Sequence, residues 1–102
     1  MALFRSPFRR RTPVPLTLYT RAGCHLCEVM KSELERGLRD EAWQLAEVDI
    51  AADPQLEERY GRSIPVLHIG GRLAFKGRLE AAELRKKFAR LAREWERTGE
   101  PA

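Results

Sequence analysis

Apolar residues recur along the chain with the spacing of secondary structure. From Cys27 onwards, Met30, Leu34 and Leu38 follow at steps of three and four, which is the spacing of one helix face. The apolar run Leu16–Thr20, directly before it, predicts a strand. The first predicted elements are therefore a strand and a helix, joined by a short turn.

The rest of the chain continues this alternation. Asp53 before Pro54 predicts a helix start, because a capping side chain precedes a proline at the first helical position. Gly70–Gly71 predicts a hairpin turn, so the strands on either side of it are expected to be antiparallel. The predicted elements are strand Leu16–Thr20, helix His25–Arg39, strand Trp43–Ile50, a two-turn helix from Pro54 to Gly61, strands Ile64–Ile69 and Leu73–Phe75, and a last helix with apolar positions Ala81, Leu84, Phe88, Leu91 and Trp95.

This order, β-α-β-α-β-β-α, predicts an α/β domain. Two strands joined by a long helix form a right-handed parallel unit, and the hairpin adds antiparallel strands to it. We therefore expect a four-stranded mixed sheet with three helices. The domain is expected to span residues 15–97.

The net charge of +4 is concentrated at the N-terminus. Residues 1–14 contain four arginines and no acid, and the remaining 15 basic residues equal the 15 acidic ones. We predict a disordered basic tail over residues 1–14, with an organelle transit peptide as the alternative. A neutral domain does not indicate nucleic-acid binding, and no apolar run is long enough to span a membrane.

The only two cysteines, Cys24 and Cys27, lie at the junction of the first strand and helix. Cys24 is expected at the helix cap, where the helix dipole favours its thiolate, and a protonated His25 would add to this effect. A zinc site would need two further ligands, and only His25 and His68 are available. Two inert buried cysteines remain an alternative, but spacing and position together favour a redox-active dithiol.

Pro65 is the second unusual feature. A proline at the head of an interior strand is uncommon because it cannot donate to the hydrogen-bond ladder. A cis peptide bond would explain it, although spacing alone does not establish one.

These motifs resemble the glutaredoxin family of the thioredoxin fold, including small bacterial glutaredoxin-like proteins. The matching segments are Leu18–Cys27, Val48–Asp49, Ser63–Val66 and Gly70–Gly71. The resemblance covers roughly residues 15–95 and implies a thioredoxin-like fold of the glutaredoxin type.

The resemblance also implies a role for each site residue. Cys24 becomes the nucleophile and Cys27 the resolving cysteine. Pro65 becomes a cis proline that faces the dithiol, and Ile64 offers its backbone to an extended substrate. Arg21 matches a basic residue that receives the glycine carboxylate of glutathione. His25 and Leu26, between the cysteines, complete the predicted substrate-binding residues.

Two departures concern glutathione. His25 and Leu26 replace the usual Pro-Tyr or Pro-Phe, and Phe75–Glu80 replaces the segment that holds the γ-glutamyl end. We therefore expect no cofactor and only slow reduction by glutathione, with a protein reductant doing better. Leu18 stands where thioredoxins have a buried acid, which argues against a thioredoxin proper.

The function predicted from the sequence is thiol–disulfide exchange by Cys24 and Cys27 on disulfide-containing proteins or small thiols. One alternative is an iron–sulfur or metal scaffold through Cys24. The other is a non-catalytic module that binds peptides at Pro65. We expect no metal at the dithiol, no nucleic-acid or membrane partner, a monomer, and a cytoplasmic location.

Overall fold

The computed structural model describes residues 12–98, so most of the predicted tail, residues 1–14, lies outside the described residues. The elements follow the predicted order, with one added 3-10 turn at Ile50–Ala52. They are β1 (Val14–Thr20), α1 (His25–Gly37), β2 (Trp43–Asp49), α2 (Pro54–Tyr60), β3 (Val66–Ile69), β4 (Arg72–Lys76) and α3 (Ala81–Thr98).

The four strands form one mixed sheet in the order β2-β1-β3-β4. β1 pairs with β2 in parallel, and β3 is antiparallel to both β1 and β4. The predicted α/β fold, with a four-stranded mixed sheet and three helices, is therefore confirmed. The parallel pair places the end of β1, and hence the cysteines, beside the end of β2.

One face of the sheet carries the core. Val14, Leu16 and Leu18 of β1 are buried on this face, because strand side chains alternate between the two faces of a sheet. The apolar stripes of α1 and α3 pack against this face as a single cluster. Its largest fully buried side chains are Val14, Leu16, Leu18, Met30, Leu34, Leu38, Leu67, Ile69, Leu84 and Phe88. This packing fixes α1, and therefore both cysteines, relative to the sheet.

Several predicted boundaries were wrong by one or two residues. α1 ends at Gly37 instead of Arg39, and the carbonyl of Leu38 accepts hydrogen bonds from Trp43 Nε1 at 2.8 Å and from the Glu41 N–H at 3.0 Å. β2 stops at Asp49, whose carboxylate accepts a hydrogen bond from the Ala51 backbone N–H at 2.9 Å and starts the 3-10 turn. Local side-chain hydrogen bonds thus determine where these elements end.

The starts of β1, β3 and β4 also differ from the prediction. β3 begins at Val66 instead of Ile64, since Pro65 has no N–H for the ladder. β4 begins at Arg72, which pairs with Ile69 directly after the glycine turn. At the beginning of the domain, β1 starts at Val14 because its N–H donates to the carbonyl of Ala42 at 3.0 Å.

The short helix α2 packs against the second face of the sheet at the end of β1. Its start is as predicted: the Asp53 carboxylate accepts a hydrogen bond from the Gln55 N–H at 2.9 Å. Tyr60, its last residue, stacks on Tyr19 of β1 with ring centroids 4.4 Å apart. Burial, and then the proximity of Tyr60, raises the pKa of Tyr19. This stacked pair holds the end of α2 against the strand that leads into Cys24.

His68 in β3 completes this aromatic cluster. Its ring packs edge-on against Tyr19 at a centroid distance of 5.3 Å. Burial, and to a smaller extent the charge of Arg59, lowers the pKa of His68 from its ordinary value of 6.5. We interpret His68 as a packing residue, in line with its position in the middle of a strand.

The lowered pKa of His68 predicts a pH-dependent stability. Below about pH 6.5 the unfolded chain takes up a proton more readily than the folded one, so the free energy of unfolding should fall as the pH drops through this window. Urea unfolding at pH 7.5 and pH 5.5 measures the difference. His68→Phe keeps a ring at this position, and its free energy of unfolding should fall less between pH 7.5 and pH 5.5. An equal loss in both proteins would contradict the assignment.

Candidate functional site: a dithiol at the start of the first helix

The turn after β1 places Cys24 at the cap of α1. The Cys24 N–H donates to the carbonyl of Arg21 at 3.2 Å and closes the turn. Gly23 has a φ of +79°, and a Cβ there would meet no atom within 4 Å, so glycine is favoured by the backbone conformation and not by lack of space. Cys24 itself is extended, and α1 begins at His25.

Cys24 and Cys27 are joined by a disulfide bond, with their Cα atoms 5.3 Å apart. This separation lies within the ordinary range for disulfides. Cys27 is buried at 1% exposure, whereas Cys24 is partly exposed. Only Cys24 is therefore accessible to a second molecule.

The first turn of α1 offers a hydrogen-bond donor to the outer sulfur. The backbone N–H of Cys27 points at Cys24 Sγ, with 3.1 Å between nitrogen and sulfur. A helix N-terminus also carries a partial positive charge. Both effects favour the thiolate of Cys24 once the disulfide is reduced.

The two residues between the cysteines are exposed. His25 is the first residue of α1, and Leu26 is 54% exposed, which is unusual for a large apolar side chain. Leu26 lies at one end of a groove of about 260 Å³ between α1 and the segment after β4. The groove is lined by Leu26, Val29, Met30, Glu33, Gly77, Arg78 and Leu79. The structure thus puts an apolar groove directly beside the dithiol.

The segment before β3 carries Ile64 and Pro65. The peptide bond between them is cis, and Pro65 is buried. The carbonyl of Pro65 accepts a hydrogen bond from the Gly77 N–H at 2.7 Å, so this segment is joined to a residue that lines the groove. The Ile64 N–H donates to the carbonyl of Tyr60 at 3.1 Å. One of the two backbone groups that Ile64 was expected to offer a substrate is thus engaged within the domain.

Arg21, the predicted anchor for a substrate carboxylate, forms an ion pair with Glu57 of α2. Their side chains are 38% and 45% exposed, respectively. This contact could not be predicted from the sequence, because the two residues are 36 positions apart and no local pattern links them. Glu57 is therefore a site residue that sequence reasoning missed.

Within residues 12–98, no group of three or more His, Cys, Asp or Glu side chains is arranged to hold a metal ion. Within the same residues, no helix has the length and apolar character needed to cross a membrane.

Fold and dithiol together define a thioredoxin-fold protein with a Cys-x-x-Cys pair at the start of its first helix. A sequence model of the family described as glutaredoxin-like domain (DUF836) matches residues 15–89. The chain belongs to this glutaredoxin-like family, which confirms the resemblance seen in the sequence.

Solved structures agree with this assignment. A protein from Nitrosomonas europaea, solved by NMR, is 25% identical with a TM-score of 0.66, over 76% of this chain and 94% of the other. A structural-genomics target from X. campestris is 34% identical with a TM-score of 0.59, over 74% of this chain and 96% of the other. A buckwheat glutaredoxin–glutathione complex is 17% identical, with a TM-score of 0.54 over 87% of this chain and 83% of the other, and shows likeness of fold alone.

Proposed function

We propose that this protein is a thiol–disulfide oxidoreductase whose reactive pair is Cys24 and Cys27. The observation that carries the proposal is the asymmetry of the pair. One sulfur is partly exposed and receives a backbone N–H, while the other is buried one helical turn further along and bonded to it. This arrangement suits one attacking and one resolving cysteine.

The proposed reaction has two exchange steps. The Cys24 thiolate attacks one sulfur of a substrate disulfide, forms a mixed disulfide, and releases the other sulfur as a thiolate that takes up a proton. Cys27 then loses its proton and attacks Cys24 Sγ, which releases the second substrate thiol and closes the Cys24–Cys27 disulfide. A dithiol reductant supplies the two electrons that reopen this disulfide.

Residues around the two cysteines have supporting roles in this reaction. A protonated His25 adds positive charge beside the Cys24 thiolate. Leu26 contacts the substrate, since any partner of Cys24 must approach past this exposed side chain. Pro65 and the carbonyl of Ile64 form the wall against which an extended substrate lies.

The partners follow from this site. The substrate is a disulfide-containing protein or a small disulfide, and the reductant is a protein dithiol, with glutathione as a slower reductant and no resident cofactor. Both reacting sulfurs belong to one chain, so we propose that it acts as a monomer. The reaction requires a compartment that keeps thiols reduced, and we propose the cytoplasm.

Turnover of a protein disulfide tests the proposal. Wild type, added in catalytic amounts to insulin and dithiothreitol, is expected to accelerate reduction of the insulin interchain disulfides in proportion to its concentration. A rate equal to that of dithiothreitol alone would contradict the proposed activity and favour a binding role for the domain.

The exposed Leu26 predicts a preference for protein substrates. Leu26→Ser should raise KM for insulin by roughly tenfold, in line with burial of one leucine side chain at an interface. Reduction of the protein's own disulfide by dithiothreitol should not change. The matched control is Leu73→Ser in β4, because Leu73 is 53% exposed but does not line the groove. Equal effects of the two substitutions would show that Leu26 has no specific role.

A further inference from the structure

Arg21 lies in the turn that leads into the dithiol, and its side chain forms an ion pair with Glu57. Arg21 closes the turn that holds Cys24, since its carbonyl accepts the Cys24 N–H. Its guanidinium is paired with the carboxylate of Glu57 and lies at the C-terminal end of α2. A Cβ on Gly61, the residue that ends α2, would approach Arg21 Nη2 to 3.4 Å. The guanidinium is therefore close to the last residues of α2.

The helix end reinforces the pairing. The C-terminal end of a helix carries a partial negative charge, which attracts a cation in addition to the carboxylate. Arg21 is therefore held by two negative groups of α2, and its charge is neutralised locally. A small thiol that carries a carboxylate meets a neutral pair beside Cys24 instead of a free cation. To bind Arg21, its carboxylate must displace Glu57, which repels it.

We propose that Glu57 is a specificity-determining residue that selects against carboxylate-bearing small thiols, such as glutathione, as partners of Cys24. This inference rests on the proposed exchange function and specifies its reductant. Neutral thiols, and proteins that bind through apolar contacts, do not depend on Arg21. Glu57 therefore favours neutral thiols and proteins as partners of the dithiol.

The chemistry concerned is reduction of the Cys24–Cys27 disulfide by a monothiol. The thiolate of the monothiol attacks Cys24 Sγ, the Cys24–Cys27 bond breaks, and Cys27 leaves as a thiolate that takes up a proton. A second monothiol attacks the first one's sulfur, releases Cys24 as a thiolate, and completes a two-electron reduction with formation of the monothiol's disulfide. Glu57 affects the first attack, in which a charged thiol must approach Cys24.

The experiment compares thiols that differ in charge. The disulfide form of the protein is reduced with excess 2-mercaptoethanol, 3-mercaptopropionate or glutathione, quenched with acid, alkylated and analysed by mass spectrometry. Glu57→Gln is expected to raise the rate constants of the two carboxylate-bearing thiols about two- to fivefold, which is the range reached by exposed ion pairs. Glu57→Lys should raise them further, and neither variant should change the rate with 2-mercaptoethanol.

Two controls separate this mechanism from a general effect of charge. Glu58→Gln makes the same charge change on the neighbouring residue of α2, which has no ion pair with Arg21. It should leave all three rates within about 1.5-fold of wild type, because an exposed charge outside the pair is largely screened. In an Arg21→Gln background, Glu57→Gln should have a correspondingly small effect. Gains that persist in this background would overturn the proposal, as would equal gains for all three thiols or equal gains with Glu58→Gln.

The measurement is independent of the proposed catalytic function. It follows reduction of the protein's own disulfide and requires no protein substrate. Failure to turn over insulin would therefore refute the proposed function and leave the thiol selectivity measurable. Unchanged thiol selectivity in Glu57→Gln, together with normal insulin turnover, would refute the role of Glu57 alone.

Discussion

Replacing Cys24 by serine is expected to lower insulin reduction by at least about a thousandfold, to the rate of dithiothreitol alone. A serine hydroxyl is not ionised near neutral pH and cannot form the mixed disulfide. Cys24 is also the sulfur that is accessible and faces the Cys27 N–H. Residual turnover by Cys24→Ser above one per cent of wild type would show that another group performs the first attack.

The matched variant Cys27→Ser is expected to fail at the second step. Its Cys24 should still attack the substrate, but without a resolving thiol the mixed disulfide should accumulate and be visible as a covalent adduct in non-reducing electrophoresis. In reduced wild type at neutral pH, iodoacetamide should label Cys24 before the buried Cys27. Preferential labelling of Cys27, or an adduct formed by Cys24→Ser, would reverse the assigned roles.

Phe88→Ala is expected to produce the largest loss of stability. Phe88 lies on the buried stripe of α3, is 1% exposed, and belongs to the cluster that joins α3 to the sheet and α1. Removing its ring leaves a cavity and should reduce the free energy of unfolding by about 3–5 kcal/mol. Stabilities of 5–15 kcal/mol are typical of whole domains, so the loss is a large share of the total. Chemical denaturation of the reduced proteins measures it.

Arg90→Ala provides the control on the same helix. Arg90 is exposed, and alanine is a good helix former, so the change should stay within about 0.5 kcal/mol. The thermal midpoint of Phe88→Ala should fall by at least about 12 °C, while that of Arg90→Ala should barely move. Similar midpoints for the two variants would contradict the placement of Phe88 in the core.

The sequence predicted the order of elements because each has a local signal. The three- and four-residue spacing around Leu34 and Phe88 indicates helices that pack on a core, and the sequence Asp53–Pro54 indicates a helix start. Element ends were less predictable. They depend on particular hydrogen bonds, such as that from Trp43 Nε1 to the carbonyl of Leu38, which the apolar spacing of the sequence does not indicate.

The same distinction applies to the site. Cys24 and Cys27 could be placed on the cap and first turn of a helix from their immediate neighbours, and the structure has them there. The ion pair of Arg21 with Glu57 and the internal hydrogen bond of Ile64 could not be predicted. The ion pair joins residues 36 positions apart that the packing of α2 brings together, whereas the hydrogen bond of Ile64 is made to Tyr60, the last residue of α2. They change what the site offers a substrate, because a cation and a backbone donor that were expected to be free are engaged.

The most direct test of the central claim is a redox titration of the Cys24–Cys27 pair. The protein is equilibrated in dithiothreitol and glutathione redox buffers that cover roughly −320 to −180 mV, the range of cellular thiol–disulfide couples. Free thiols are then alkylated and counted by mass. We predict that the protein changes reversibly from zero to two alkylated cysteines per chain, with a single midpoint potential inside this range. A pair that stays fully oxidised or fully reduced across the whole range would contradict a role in thiol–disulfide exchange.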